Sequence, residues 1–256
     1  MLETRNVTVR FGGLTAVKDM SMKVEPGTIH SLIGPNGAGK TTLFNVISRI
    51  IEPTAGEVLF DGESLNGLSS EKVIYKGICR TFQNLQLFRY TTVYENIFSG
   101  LVHEYRGREL PFIPGAGKAF IDETRDRVLE VAEMLGIKDR LGSMPASLPY
   151  GILKRVELAR ALVSKPKMLL LDEPAAGLNN DETKEIDEVF QRVNSMGITM
   201  LLVEHDMNMV MKVSDRITVM NFGEKVAEGT PEEIASNPKV IEVYLGKSDL
   251  GVKKDA

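Results

Sequence analysis

Residues 34 to 42 read Gly34-Pro35-Asn36-Gly37-Ala38-Gly39-Lys40-Thr41-Thr42, a stretch that fits G-x-x-x-x-G-K followed by Ser or Thr. An apolar run from Ile29 to Ile33 precedes it, and Leu43, Phe44, Ile47, Ile50 and Ile51 follow at helical spacing. The context is therefore strand, loop, helix. Glycines let such a loop fold back and aim successive N–H groups inward, where the positive end of the helix also attracts an anion. Lys40 supplies a point charge for terminal phosphates. Thr41 offers a hard hydroxyl oxygen of the kind Mg2+ prefers. These nine residues predict a cradle for a triphosphate.

The 256 residues, 43% of them hydrophobic, suffice for an ordinary core in one large or two modest domains. A net charge of −4 gives no general electrostatic reason to expect a nucleic-acid partner. Cys79 is the only cysteine, so no intrachain disulfide can form and a reducing, cytoplasmic setting is expected. The first residues lead into alternating Val7 and Val9 rather than an apolar leader. No stretch approaches the roughly 18 apolar residues of a membrane span. The chain is expected neither to insert in a membrane nor to be secreted.

Short β-patterned runs at 6–10, 20–24, 29–33 and 57–60 surround the phosphate loop, with turns at Glu25-Pro26-Gly27 and Asp61-Gly62. From about Ser69 the pattern predicts a short helix, a strand over 78–83, and then a helical insert from Thr91 to Leu148. Within that insert, 122–136 reads as a helix stopped by Gly136, and 107–117 as an irregular loop. Helices and buried strands then alternate at 152–164, 168–171, 182–196, 199–203, 207–213 and 217–220, the order of a parallel α/β sheet. Ile186, Val189, Phe190 and Val193 form one apolar stripe, and Met207, Val210 and Met211 read as core rather than a metal site. The last residues, from Gly246, read as a mobile polar tail.

Two further segments carry chemistry. Met168-Leu169-Leu170-Leu171 ends in Asp172-Glu173-Pro174, as a buried strand does when its acids emerge at the carboxyl edge where open α/β sheets place ligands. Asp172 is suited to help hold Mg2+. Glu173 is suited to orient or deprotonate an attacking water. Leu201-Leu202-Val203 likewise ends beside His205, which is read as reaching the γ-phosphate and the water from the far side. Gln83, at the end of 78–83, completes the set as a contact to Mg2+ or water.

Together these residues resemble the ATP-binding subunit of ABC transporters over about residues 4 to 246. That resemblance implies a P-loop α/β fold with a mainly parallel sheet, an N-terminal antiparallel β subdomain, and a helical subdomain over about 91–160. It implies that Phe11 stacks on adenine, that ATP and Mg2+ are bound, and that 147–162 is the family's signature helix. Glu173 through Asn179, His205-Asp206-Met207, Glu228 through Pro231 and Tyr244-Leu245-Gly246 look most like the branched-chain amino-acid importers. The implied mechanism is a sandwich of two ATPase chains around two ATPs, driving solute import through separate permease subunits. The chain would lie on the cytoplasmic side of the membrane, peripheral through those subunits, with the loop at Gln83 and 87–90 receiving a coupling helix.

One departure stands out. The family's Leu-Ser-Gly-Gly-Gln aligns with Leu148-Pro149-Tyr150-Gly151-Ile152, so the Ser hydroxyl that would cap the helix and meet the partner's γ-phosphate is missing. Proline can still open a helix, and the Gly151 N–H and the positive helix end remain to contact nucleotide. This leans toward a heterodimer with one better composite site. The alternatives are an ABC-type ATPase without a transport role and a phosphate-loop kinase for a small molecule, besides an importer ATPase for a different solute. The first usually brings tandem ATPase units or a long coiled coil, and the second has no need of a signature helix or His205.

Overall fold

The computed structural model describes residues 1–105 and 116–245. Most of the loop expected at 107–117 and the polar tail lie outside the described residues. In chain order the elements are β1 (Leu2–Phe11), β2 (Leu14–Val24), β3 (Ile29–Ile33), α1 (Lys40–Ile47), β4 (Ala55–Phe60), β5 (Glu63–Ser64), α2 (Ser70–Val73) and β6 (Ile78–Arg80). The helices α3 (Val93–Phe98), α4 (Ala116–Met134) and α5 (Tyr150–Leu162) follow. Then come β7 (Met168–Asp172), α6 (Asn180–Ser195), β8 (Thr199–Val203), α7 (Met207–Val213), β9 (Arg216–Asn221), β10 (Glu224–Gly229), α8 (Pro231–Ala235) and α9 (Pro238–Leu245).

Two sheets form. The first runs β2-β1-β4-β5 and is antiparallel, the second β10-β9-β3-β8-β7-β6. In the second, β9, β3, β8, β7 and β6 are mutually parallel, and only β10 turns back along β9. Strands β3, β7 and β8 are buried at every residue, which is why they read as unbroken apolar runs rather than alternating ones. Register then decides the site. Leu32 pairs with Val203 and Val203 with Asp172, so the carboxyl ends of β3, β8 and β7 finish level along one edge.

Helix ends obey local chemistry. Asn179 caps α6 by accepting from the amides of Asp181 and Glu182, and the Glu182 carboxylate accepts the Asn179 amide in return. The stop after α4 is as expected: Gly136 sits at φ 66° and the Ile137 amide reaches back to the Ala132 carbonyl. Ile186, Val189, Phe190 and Val193 are all buried, and Val210 packs in a cluster with Ile33, Ile217 and Val219.

Some boundaries differ from the sequence reading. Strand β6 ends at Arg80, not Gln83, because the Arg80 side chain turns inward to Asp172 while the backbone leaves the sheet edge. Beyond it the loop is held by α5: the Glu157 carboxylate accepts the Phe82 amide at 3.4 Å and the Lys154 ammonium donates to the Gln83 carbonyl at 3.3 Å. Helix α5 starts at Tyr150, two residues early, with Pro149 as its N-cap. The strand at 217–220 is β9, whereas β10 and the helices α8 and α9 are additions. Strand β10 escapes a sequence reading because 224–229 alternates charged and small residues without an apolar run.

Candidate functional site

The phosphate loop is wedged between β2 and β9. A Cβ on Gly34 would lie 2.1 Å from the Met220 carbonyl oxygen, and one on Gly39 2.5 Å from that of Ala16. Both residues have left-handed φ, 150° and 100°, so glycine alone fits there. The Gly223 amide, in the β9–β10 turn, donates to the Ala38 carbonyl at 2.9 Å and closes the brace. These contacts hold open a cleft of about 360 Å³ lined by Asn36 through Thr42, Glu173, Leu14, Thr15, Ala16 and Phe222. The Lys40 ammonium, 8% exposed, donates to the carbonyls of Gly34 at 2.6 Å and Pro35 at 3.1 Å. Its charge is thus held at the floor of the cradle, on loop carbonyls that a phosphate oxygen outcompetes.

The acids arrive from β7. Asp172 forms a buried ion pair with Arg80 at 2.8 Å, and the same guanidinium donates to Asn45 Oδ1 at 2.8 Å and Ser48 Oγ at 2.6 Å on α1. Glu173 adopts φ 48°, a left-handed conformation that costs a non-glycine residue about 1–3 kcal/mol and persists only where neighbours impose it. Its amide donates to the Val203 carbonyl at 2.9 Å, which turns the side chain up into the cleft. There its carboxylate accepts the Gln83 amide at 2.6 Å. His205, beyond the end of β8, is 62% exposed at its side chain, with Nδ1 3.7 Å from the Glu204 carboxylate.

The structure brings Asn36, Gly37, Ala38, Gly39, Lys40, Thr41, Thr42 and Glu173 into one cleft and bonds Gln83 to it. Gly34 and Pro35 form its base through the Lys40 contacts. Asp172 lies one residue below, turned to Arg80. Phe11 ends β1, half exposed, and is not among the residues that line the cleft; Leu14 and Phe222 are. Pro149, Tyr150 and Gly151 open α5 outside the cleft, the first two exposed and Gly151 buried against Glu182. Their helix has no side-chain cap, and the Tyr150 ring packs against Gly177, where an added Cβ would meet it at 3.0 Å. Sequence reasoning missed Arg80, Leu14, Thr15, Ala16 and Phe222. Only Phe222, an aromatic before Gly223 in a turn, left any trace in the sequence.

The donors suit Mg2+. Thr41 offers a hard oxygen in the cradle and Asp172 a second just below it, one of its oxygens held by Arg80, and the described residues contain no group of three His, Cys, Asp or Glu that would cage a metal alone. That matches an ion held by one or two protein ligands with substrate phosphates and water.

A glycine cradle at a helix N-terminus, on the carboxyl edge of a parallel sheet that also presents Asp172 and Glu173, defines a phosphate-loop nucleotide-binding protein. The comparisons place it further. The model of the ABC transporter family matches residues 17–176, and the chain belongs to that family of ATP-hydrolysing cassettes. A second model, the branched-chain amino acid ATP-binding cassette transporter, matches residues 224–249. The chain is 42% identical over 254 residues to the high-affinity branched-chain amino acid transport ATP-binding protein BraF of Pseudomonas aeruginosa, covering 97% of this chain and 98% of that one. Among solved structures, the ADP conformation of MJ1267, an ATP-binding cassette of an ABC transporter, superposes with a TM-score of 0.84 at 31% identity, over 96% of this chain and 98% of that one. A dimeric post-hydrolysis state of the cassette MJ0796, bound to ADP and phosphate, gives 0.76 at 29% identity, over 90% and 99%.

Proposed function

We propose that this chain is the ATPase subunit of an importer of branched-chain amino acids, working against a second ATPase chain and beneath permease subunits on the cytoplasmic face of the membrane. Residues 1–246 would form the cassette, with 91–160 as its helical subdomain. The observation that carries the solute class is the similarity to BraF along nearly the whole chain, joined by the match at 224–249. Among the described residues no helix is long and apolar enough to cross a membrane, in keeping with permeation through other subunits.

In the proposed cycle the amides of Asn36 through Thr42 and the Lys40 ammonium bind the ATP phosphates, the ammonium leaving its loop carbonyls for them. Phe11, at the end of β1, would fold over the adenine. Thr41 and Asp172 would hold Mg2+, with Gln83 beside it; the ion supplies charge neutralisation at the phosphates. Glu173 takes the proton of the attacking water, and its bond to Gln83 ties that base to a loop gripped by α5. His205 supports the γ-phosphate from the adjacent strand end. Pro149, Tyr150 and Gly151 would face the other chain's nucleotide. The uncapped start of α5 supports a heterodimer, since this chain closes its partner's site without the usual hydroxyl.

The test deletes the chain's gene and measures uptake of labelled leucine, isoleucine and valine, with complementation by the wild type and by Glu173→Gln. Wild-type rescue with no rescue by Glu173→Gln supports the reading. Unchanged uptake in the deletion strain sinks the solute class. Isolating the native complex reports the second chain: two identical copies would sink the heterodimer. Within that complex Pro149→Ser raises ATPase activity if the missing hydroxyl limits the composite site, and an unchanged rate refutes that account.

A further inference from the structure

Glu204 ends the apolar run of β8 one residue before His205, and it is 1% exposed. A carboxylate there is expensive unless its oxygens are satisfied. They are met by backbone rather than by a cation. Oε1 accepts the Ala175 amide at 2.8 Å, and Oε2 accepts the His205 amide at 3.0 Å. Among the described residues no lysine or arginine pairs with it; the one ionisable side chain paired with it is that of His205, whose Nδ1 lies 3.7 Å away. Burial raises the carboxyl above its ordinary range, and the N–H donors of Ala175 and His205 oppose that rise.

What those donors belong to matters. Ala175 lies two residues after Glu173, in a turn closed by the Ala176 amide on the Glu173 carbonyl at 3.1 Å. His205 opens the loop after the neighbouring strand. One buried side chain therefore joins the loop carrying the water-activating carboxylate to the loop carrying the histidine. The strained φ of Glu173 needs such restraint from its surroundings.

We infer that Glu204 is a positioning residue for ATP hydrolysis: its carboxylate locks the turn after Glu173 to the backbone of His205, so that both side chains meet the same γ-phosphate. Glu204 touches neither nucleotide nor water. The inference rests on the roles proposed above for Glu173 and His205.

The test uses the full chain with ATP and Mg2+ and compares Glu204→Gln, His205→Ala, the two combined, and Glu173→Gln. Glu204→Gln keeps the shape but turns an amide NH2 toward one of the backbone donors. Displacement of a catalytic group by about 1 Å costs on the order of 100-fold, so kcat is expected to fall roughly 10- to 100-fold. KM for ATP stays near wild type, while the two buried donors left facing each other lower the melting temperature by a few degrees. Because Glu204 acts through both Glu173 and His205, the double variant loses less than the product of the two single losses. A kcat within about twofold of wild type, a rise in KM that accounts for the loss, or multiplying effects in the double variant would each overturn the inference. Should Glu204→Gln fail to fold, Glu204→Asp serves instead. It keeps the charge but is one methylene too short to span both amides, and full activity in it overturns the inference equally. If Glu173→Gln and His205→Ala keep full activity, the assignment of the site fails first, and this inference with it.

Discussion

Arg80→Met is the substitution whose effect the structure determines most directly. The guanidinium and the Asp172 carboxylate are 9% and 6% exposed and 2.8 Å apart. Two charges with centres about 4 Å apart attract by about 4 kcal/mol at an effective dielectric near 20. Removing one partner of such a buried pair leaves the other uncompensated, which costs about 3–5 kcal/mol. Methionine keeps the length of the stem and its packing against Phe44 and Phe82, over whose rings the guanidinium lies at 5.6 and 5.2 Å. The loss is therefore mostly charge and hydrogen bonding, including the donors to Asn45 and Ser48. At about 2–4 °C per kcal/mol for a chain of this size, the melting temperature should drop by roughly 6–20 °C. Urea unfolding followed by circular dichroism measures the same quantity. Combining Arg80→Met with Asp172→Asn removes the stranded charge, so the double variant should be more stable than the two single losses added together. A single-variant cost below about 1 kcal/mol, or simple additivity in the double, would show that the pair is not coupled as described.

Gly34→Ala places a methyl 2.1 Å from the Met220 carbonyl oxygen at a φ that alanine resists. It should weaken ATP affinity by at least about tenfold, equivalent to 1.4 kcal/mol, in a fluorescent-nucleotide titration; unchanged affinity would mean the loop has room to spare. His30, fully buried with Nε2 2.8 Å from Thr218 Oγ1, is held by desolvation at a pKa of about 4 against an ordinary 6.5. The unfolded chain binds this proton first, so the neutral native form loses stability as pH falls from about 6.5 to 4, by roughly 3 kcal/mol in total. Acid unfolding of His30→Gln should lack that segment of the curve, and an identical pH dependence in the two proteins would refute it. Phe222→Ala, at the rim of the cleft and 85% exposed, should leave stability unchanged while raising the Kd for ATP; equal Kd values would remove it from the site.

The nine residues from Gly34 to Thr42 settled the strand, loop and helix around them because their spacing alone prescribes a backbone that binds phosphate. The apolar runs before Asp172 and His205 disclosed buried strands for an equally local reason: a strand covered on both faces has no polar alternation. Glu173 and Gln83 were legible as candidates by type and position, but their 2.6 Å bond was not, since it joins residues 90 positions apart. The end of β6 was misplaced because nothing near Arg80 announces Asp172, 92 residues on, as its partner. Phe11 followed from resemblance, whereas the cleft takes Leu14 and Phe222 for its lining, a choice made when the β9–β10 turn closes over the phosphate loop. Glu204 is the clearest instance. In the sequence it is one more acid beside a histidine; only the pairing of β7 with β8 buries it between two loops. Sequence determined what each segment is and which chemistry it carries, because those follow from contacts within a few residues. Tertiary structure decided which carboxylate meets water, which meets arginine and which meets backbone, because register across the sheet sets those distances.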